Sequence, residues 1–505
     1  MKYFYRLLLL WITLLLSGCN SEVQKTEEYV DTTTGSYYGI IDGATTSYKG
    51  MMYADASQTF RWSKAGVVED STNPRVADKF GKVCYQSVST PNYMLNNMSE
   101  NCLSVNVWVP TGSEEIVNKR VMIFIHGGGF IGGSSSNPLY NGAKLSEFND
   151  AIVVNFNYRL GALGFLKVDS NSGNYGIMDQ QAALEWVYSN IDKFGGDKNS
   201  LTLFGHSAGS MSTLSHILSN TTTKTKFKNA IVESSYMGFD FKDEKSATAI
   251  AEIVLNSIKK SSSKSPHDTD AKTVQDVSME LYAELIGLEL ADISFESFFP
   301  YSPYVDGSVI KSKLIKAQTT VPLLIGNVNA ESNFMFESLK GTKVIDLYTE
   351  YVKKYYDSSI TIGSQPELQT FFTNYAFECA TNYFLKNNTS YTTNYLYHFN
   401  YIGSFNFWGT FNDCAGEACH ASELPFVFGN FYNQKGYEVY STSSDQQFSK
   451  KIMSIWKEFS QTSKLANFDT YQTDQKMISI TNTQPNFFNV DYMLSDKCTQ
   501  YNKFY

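Results

Sequence analysis

The 505-residue chain contains no apolar run of about twenty residues, so it offers no segment that spans a bilayer as a helix. Arginine is scarce, standing only at Arg6, Arg61, Arg75, Arg120 and Arg159. Lysine and arginine together number 41 against 50 acidic residues, a formal net charge of −9. That balance lacks the basic field of a nucleic-acid binder, so no nucleic-acid partner is expected. No internal repeat and no long linker divides the body. No cysteine pair has the two-residue spacing of a zinc site, and no metal is expected. What the chain does have is 42% hydrophobic and 15% aromatic residues, which excludes a disordered polymer and allows a large core.

The first nineteen residues read as a separate object. Lys2 and Arg6 precede the apolar run from Leu7 to Leu16, followed by Ser17, Gly18 and Cys19. A charged start, a short apolar stretch and small residues before a cut describe an export signal. Leu16-Ser17-Gly18-Cys19 also resembles a bacterial lipobox. That resemblance implies removal of residues 1–18, acylation of Cys19, and a lipid anchor in the cell envelope. Asn20 in place of Asp implies the outer membrane of a Gram-negative cell. Loss of the signal removes two positive charges and no negative one, so −9 becomes −11. Residues 19–34 are polar and read as a tether from the anchor to the body.

Six cysteines remain after Cys19, an even number that suits an exported, disulfide-bonded chain. Cys84 and Cys102 are neighbours in sequence, as are Cys414 and Cys419, which would leave Cys379 with Cys498. Several pairings stay open on spacing alone.

From residue 121 onward the body alternates strands and helices. Apolar runs occupy 121–125, 151–154, 201–204, 230–232 and 321–325. Continuous apolar strands separated by helical segments predict a mostly parallel sheet covered on both faces, an α/β fold. Helical spacing appears over 182–187 and from Gly209 to Leu218. Residues 243–280 are rich in Lys, Ser, Asp and Ala and predict helices broken by a surface loop, an insertion over the functional edge of the sheet.

The chemistry sits at strand ends. Gly205-His206-Ser207-Ala208-Gly209 is a G-x-S-x-G motif between a strand and a helix, where it presents Ser207 as a nucleophile. His126-Gly127-Gly128-Gly129-Phe130 follows another strand and fits a glycine-rich oxyanion loop. Gly128 and Gly129 are the expected N–H donors, with the N–H of Ala208 as a third. In this order of motifs the acid and then the histidine follow the serine. His398 lies in an alternating, strand-like stretch and suits a structural role. His420 lies in a loop and suits a general base. Glu331, just after the strand ending near Ile325, is the expected acid. Asp306 is a rival, but Asp306-Gly307 reads as a turn.

Taken together these residues resemble the type B carboxylesterase/cholinesterase family of α/β-hydrolases. The similarity runs from about Gly39 to Phe459. It is carried by Ser99 to Trp108, His126 to Phe130, Asn157 to Gly161, Asp179 to Leu184, Asn190 to Gly209, Pro303 to Gly307, Gly326 to Glu331 and His420 to Gly429. The resemblance implies a Ser207–Glu331–His420 triad, a Cys84–Cys102 bridge closing a loop at the gorge mouth, and a structural Arg159–Asp179 ion pair. It also places Ser234 beside the triad.

The chain departs from the family at several points. His206 stands where the family usually has Glu, which removes a carboxylate that would attract cationic substrates. Tyr93 is the one aromatic near the choline-binding tryptophan position, so choline esters are not expected. Glu100 has no evident partner. The expectation is therefore a lipid-anchored serine ester hydrolase with one catalytic domain over 35–505 and a small-molecule ester substrate. It needs no cofactor. Two other readings stand beside it: a non-catalytic adhesion relative, which would typically lose its nucleophile, and a peptidase on the same fold.

Overall fold

The computed structural model describes residues 24–505, apart from 70–72, 87–96, 112–116, 169–172, 219–226, 293–298, 320, 342, 356–363, 389–392, 483–487 and 493–494. The signal, Cys19 and Tyr93 lie outside the described residues. Twelve strands form the main path of one sheet. They are β1 (Lys25–Thr32), β2 (Gly35–Asp42), β3 (Thr45–Met52), β4 (Ser104–Pro110), β5 (Lys119–Ile125), β6 (Ile152–Phe156), β7 (Gly196–His206), β8 (Phe227–Glu233), β9 (Leu323–Val328), β10 (Asn394–Asn400), β11 (Lys476–Thr481) and β12 (Phe488–Tyr492). Their spatial order is β1-β2-β3-β4-β6-β5-β7-β8-β9-β10-β11-β12, and the short strand Arg75–Val76 pairs with β2 off this path. All pairings from β6 to β11 are parallel.

The apolar runs found in the sequence become strands for a reason visible in β5. Val121, Ile123 and Ile125 enter one core, while Met122 and Phe124 enter the other. A strand with helices on both faces has no side to show water, so every position is apolar. The helices include α1 (Tyr175–Asn190), α2 (Ala208–Leu218), α3 (Glu244–Ser261), α4 (Ala271–Glu280), α5 (Cys379–Asn387), α6 (Ser443–Thr462) and the short α7 (Ser495–Thr499). Among the described residues, no helix is long and apolar enough to cross a membrane.

One expectation needs correction. The stretch 19–34 was expected to be a tether, but from Lys25 it is the edge strand β1, paired antiparallel with β2 through Val30 and Tyr37. Its polar character reflects an edge with most side chains in water. Thr33 and Thr34 then fasten it to α1, through Asn190 and Trp186. The sheet therefore begins ten residues before the expected domain boundary at residue 35. The insertion at 243–280 does form α3 and α4, but its linking turn packs on the segment before Trp62. Arg61 donates to the carbonyls of Pro266 and His267.

Arg61 also supplies what the sequence left unresolved for Glu100, through a two-pronged pair with contacts of 2.6 and 2.7 Å. Arg159 and Asp179 form a second such pair, both bonds 2.7 Å and both residues buried. Asp179→Ala strands the Arg159 cation away from water. It should lower stability by about 3–5 kcal/mol, read as a fall in the unfolding midpoint in urea.

Candidate functional site

The C-terminal ends of β5, β7, β9 and the loop carrying His420 meet at one edge of the sheet. β7 stops at His206 and α2 starts at Ala208, leaving one residue for the reversal. That residue is Ser207, held at φ +57°, a region that costs a side-chain-bearing residue energy. The turn is secured by Ser207 N–H donating to Glu233 O at 2.9 Å and by Ser207 O accepting from Ser210 and Met211. It is so tight that a Cβ on Gly209 would sit 2.0 Å from the Ile125 carbonyl oxygen. This is the strand–turn–helix context that the G-x-S-x-G spacing predicts.

Gly128 has φ +115°, and a Cβ there would lie 2.1 Å from Gly132 O. Only glycine fits. Its carbonyl accepts from Ile131 and Gly132, which curls the loop back on itself. Gly128, Gly129, Ser207 and His420 line one cavity of about 370 Å³. Its walls are mainly Ile131, Leu139, Tyr140, Phe299, Phe334 and Trp408. None of the described residues of the 243–280 insertion lines it. Among its described lining residues, Tyr140 is the only ionisable group besides the imidazoles of His206 and His420.

His420 and Glu331 meet, with Nδ1 to Oε2 at 2.5 Å. The other carboxylate oxygen of Glu331 accepts from the Val328 N–H at 2.9 Å. Glu331 is fully buried. The two loops are joined by Ala330 N–H donating to Ala418 O at 3.0 Å. The His420 ring is stacked on Phe334 at 4.7 Å, Phe334 on Trp408 at 4.9 Å, and Trp408 on Phe411 at 5.4 Å. Trp408 Nε1 also donates to His420 O at 2.8 Å. A Cys414–Cys419 bridge closes the loop immediately before His420. Cys84–Cys102 and Cys379–Cys498 are the other bridges.

The rejected candidates have other work. His398 pairs with Glu378 at 3.3 Å. Asp306 accepts from the N–H groups of Ser308, Val309 and Ile310, closing the turn at Gly307.

Behind His420 lies a buried set of which the sequence singles out His206 and Ser234 but neither Glu423 nor Glu233. The His206 ring lies 4.4 Å from the His420 ring, and its Nε2 is 3.6 Å from Glu423 Oε1. Ser234, at φ +53°, donates to the same Glu423 oxygen at 3.4 Å. Glu233 accepts from Trp456 Nε1 at 2.8 Å. Burial, aided by Glu233 and Glu331, pushes the Glu423 carboxyl well above the usual range. Burial also pushes Glu233 up to about 8, against the Trp456 hydrogen bond. Burial and the neighbouring His420 hold His206 well below the ordinary histidine value. The set thus keeps its protons on carboxyls and off His206 near neutral pH. For Glu423 the sequence offers only its place three positions after His420, which spacing alone does not distinguish from a surface glutamate. Among the described residues, no group of three or more His, Cys, Asp and Glu is placed to hold a metal.

Comparison with known proteins decides the family. The carboxylesterase family model matches residues 26–358 and 341–503. The chain belongs to the carboxylesterase family. It is 31% identical over 439 residues to the crystal protein of Dictyostelium discoideum, covering 81% of this chain and 75% of that one. It is 29% identical to the para-nitrobenzyl esterase of Bacillus subtilis (strain 168), covering 86% and 90%. A cholinesterase of Mus musculus is 37% identical over a shorter stretch, 45% and 40% of the two chains. Among solved structures, a thermophilic PNB esterase aligns with a TM-score of 0.78 at 27% identity, covering 95% of this chain and 100% of that one. The fold is the α/β-hydrolase fold, and the protein is a carboxylic ester hydrolase of this family.

The raised Glu233 value makes a prediction. The folded state keeps this proton to about 8, whereas the reference carboxyl loses it near 4.5. Stability from this group is therefore complete below the reference value and is lost as pH rises toward 8. Glu233→Gln keeps an oxygen for Trp456 and removes that loss. Its unfolding free energy in urea should match wild type near pH 4 and exceed it increasingly up to pH 8, by an amount on the order of 2–4 kcal/mol.

Proposed function

We propose that the enzyme cleaves neutral carboxylic esters through an acyl-enzyme on Ser207. The observation that carries this reading is the 2.5 Å contact of His420 Nδ1 with Glu331 Oε2, with the imidazole and Ser207 lining the same cavity. Glu331 fixes the tautomer, so that Nε2 of His420 is the free base. Ser207 Oγ attacks the ester carbon as its proton passes to His420 Nε2. The N–H groups of Gly128, Gly129 and Ala208 hold the oxyanion, the last at the start of α2 where the helix dipole adds positive potential. As the tetrahedral intermediate collapses, His420 gives the proton to the leaving alcohol. Water then repeats the sequence on the acyl-enzyme and releases the acid. Phe334 against the ring face favours the imidazolium that forms in both steps.

The substrate class follows from the walls. Among the described residues no carboxylate lines the cavity, so a cationic alcohol finds no countercharge there, while aromatic and aliphatic groups find matching surface. This agrees with His206 standing in the position after Gly205. The family relatives include a para-nitrobenzyl esterase, whose substrate by name is an aromatic ester. For residues 1–19 we propose an export signal and acylation of Cys19, which would hold the enzyme at an envelope membrane.

A fluorophosphonate probe tests the nucleophile. Wild type should be labelled on Ser207 and Ser207→Ala should not, with ester turnover lower by at least about a thousandfold. Absence of label on wild type would leave the non-catalytic adhesion reading standing. p-Nitrophenyl butyrate should exceed butyrylthiocholine in kcat/KM by roughly a hundredfold or more, since the difference is a missing countercharge. The anchor is checked by labelled palmitate: incorporation into wild type and its loss in Cys19→Ala are expected, and incorporation into the variant would remove the proposal.

A further inference from the structure

The catalytic cavity is not apolar throughout. Among the described residues, the amide side chains of Gln86, Asn137 and Gln434 line it, and the protein itself uses them to different degrees. Gln86 is spent on backbone: its Oε1 accepts from Gly133 N–H at 2.9 Å, and its Nε2 donates to Cys84 O and Gly133 O. Asn137 is half spent. Its Oδ1 accepts from Leu139 N–H at 3.0 Å, which starts the turn Pro138–Tyr140. Its Nδ2 has no partner among the described residues and is not one of the atoms closed to water. The residue is only 9% exposed and lines the cavity, so water that reaches Nδ2 does so from there. Gln434 is half-buried. Its backbone N–H donates to Phe407 O at 3.0 Å, and its side chain makes no hydrogen bond among the described residues.

Both spare amides stand on the side that a leaving alcohol must occupy. In the proposed mechanism His420 gives its proton to the leaving oxygen, so the alcohol lies beside the imidazole. An arc of contacts runs from there to the amides. Trp408 donates to His420 O, and the Phe407 ring meets Trp408 edge-on at 5.6 Å. Gln434 is held to Phe407, and Asn430 Nδ2 donates to Leu139 O and Asn141 O at 3.1 and 2.7 Å. Those two bonds tie the segment carrying Gln434 to the turn that Asn137 begins. Phe334 and Trp408 each lie between two stacked rings, so they turn their edges to the cavity. Ring edges carry partial positive charge, which suits oxygen atoms and repels cations.

We propose that the alcohol side of this cavity takes a neutral polyol, so that the enzyme deacylates esters of sugars. One ring hydroxyl accepts from Asn137 Nδ2, and another exchanges hydrogen bonds with the Gln434 amide. The Ser207 Oγ–acyl bond forms, the bond from the acyl carbon to the sugar oxygen breaks, and that oxygen takes the proton from His420 Nε2. An apolar alcohol strips water from both amides and leaves them unpaired, which costs binding energy, whereas hydroxyls replace that water bond for bond. A lone acceptor such as a nitro group satisfies Asn137 Nδ2 but not both the donor and the acceptor of Gln434. The volume of about 370 Å³ lies within the usual range for small-molecule sites. The proposal rests on the reading in the preceding subsection and names the class of its leaving alcohol.

Methyl glycosides of glucose, galactose and mannose, each butyrylated on the primary hydroxyl, test it against cyclohexylmethyl butyrate, which has a six-membered ring and no hydroxyls. At least one sugar ester should exceed the cyclohexyl ester in kcat/KM by about tenfold or more. Gln434→Leu and Asn137→Leu should each lower that ratio by about three- to tenfold, the worth of one hydrogen bond. The ratio is read within each variant, so a general loss of activity does not imitate the effect. Asn137 also secures a turn, so Gln434→Leu decides the matter if Asn137→Leu does not fold. Binding of the preferred sugar ester to Ser207→Ala, followed by saturation-transfer NMR, should saturate at roughly millimolar concentration or tighter. No preference for any of the three sugar esters, an unchanged ratio in Gln434→Leu, or no saturable binding to Ser207→Ala overturns the proposal. Binding of the sugar esters to Ser207→Ala without fluorophosphonate labelling of wild type would remove the hydrolase reading and keep the sugar site. Labelling of Ser207 without sugar preference would remove the sugar site alone.

Discussion

The contact between His420 and Glu331 joins residues 89 positions apart, and neither stands in a regular element. Loops on their own do not hold two side chains to a fraction of an ångström, so the surrounding structure must. Glu331 is fixed from its own side, because Val328 at the end of β9 donates to it. His420 is fixed from several sides at once. The Cys414–Cys419 bridge shortens the loop before it, the Ala330–Ala418 hydrogen bond ties that loop to the acid, and Trp408 anchors its carbonyl. Four stacked rings, from His420 to Phe411, leave the imidazole little room to turn. Each restraint is modest alone, and together they preorganise the pair before substrate arrives.

Burial creates a second problem behind this pair. Glu331, Glu423 and Glu233 are all fully enclosed, and three carboxylates cannot share a region of low dielectric as anions. Glu423 and Glu233 are accordingly pushed upward by burial and stay protonated. His206, pressed against His420, is pushed downward and stays neutral. In the proposed mechanism an imidazolium forming on His420 would thus meet no competing cation and one charge partner of fixed geometry. The substitution of His for the usual Glu removes a negative group from the substrate cavity, yet the neighbourhood as a whole remains rich in carboxyl groups facing inward.

Much of this was legible in the sequence, and the pattern of what was not is informative. The parallel strands declared themselves because two-sided burial leaves no polar position, as in Val121 to Ile125. Ser207 and Gly128 were legible because the backbone they occupy admits few residues. His420 and Glu331 followed from order along the chain and from the family resemblance. By contrast, β1 reads as a tether because an edge strand with most side chains in water has the composition of a linker. Glu423, Glu233 and the Arg61–Glu100 pair were silent because their roles come from neighbours far away in sequence. Their surroundings, not their own identity or spacing, give them meaning.

The early start of the sheet has a consequence for where the enzyme can work. If Cys19 carries a lipid, only residues 20–24 separate it from β1. Such a span reaches at most about 20 Å when fully extended, less than the diameter of the body it holds. The edge of the sheet would then ride against the headgroups, and the enzyme could swing little about its anchor. The substrates within reach would be those near the bilayer surface or those that diffuse to it. The same short leash would hold the catalytic cavity, on the C-terminal ends of the central strands, at a nearly constant height above the membrane.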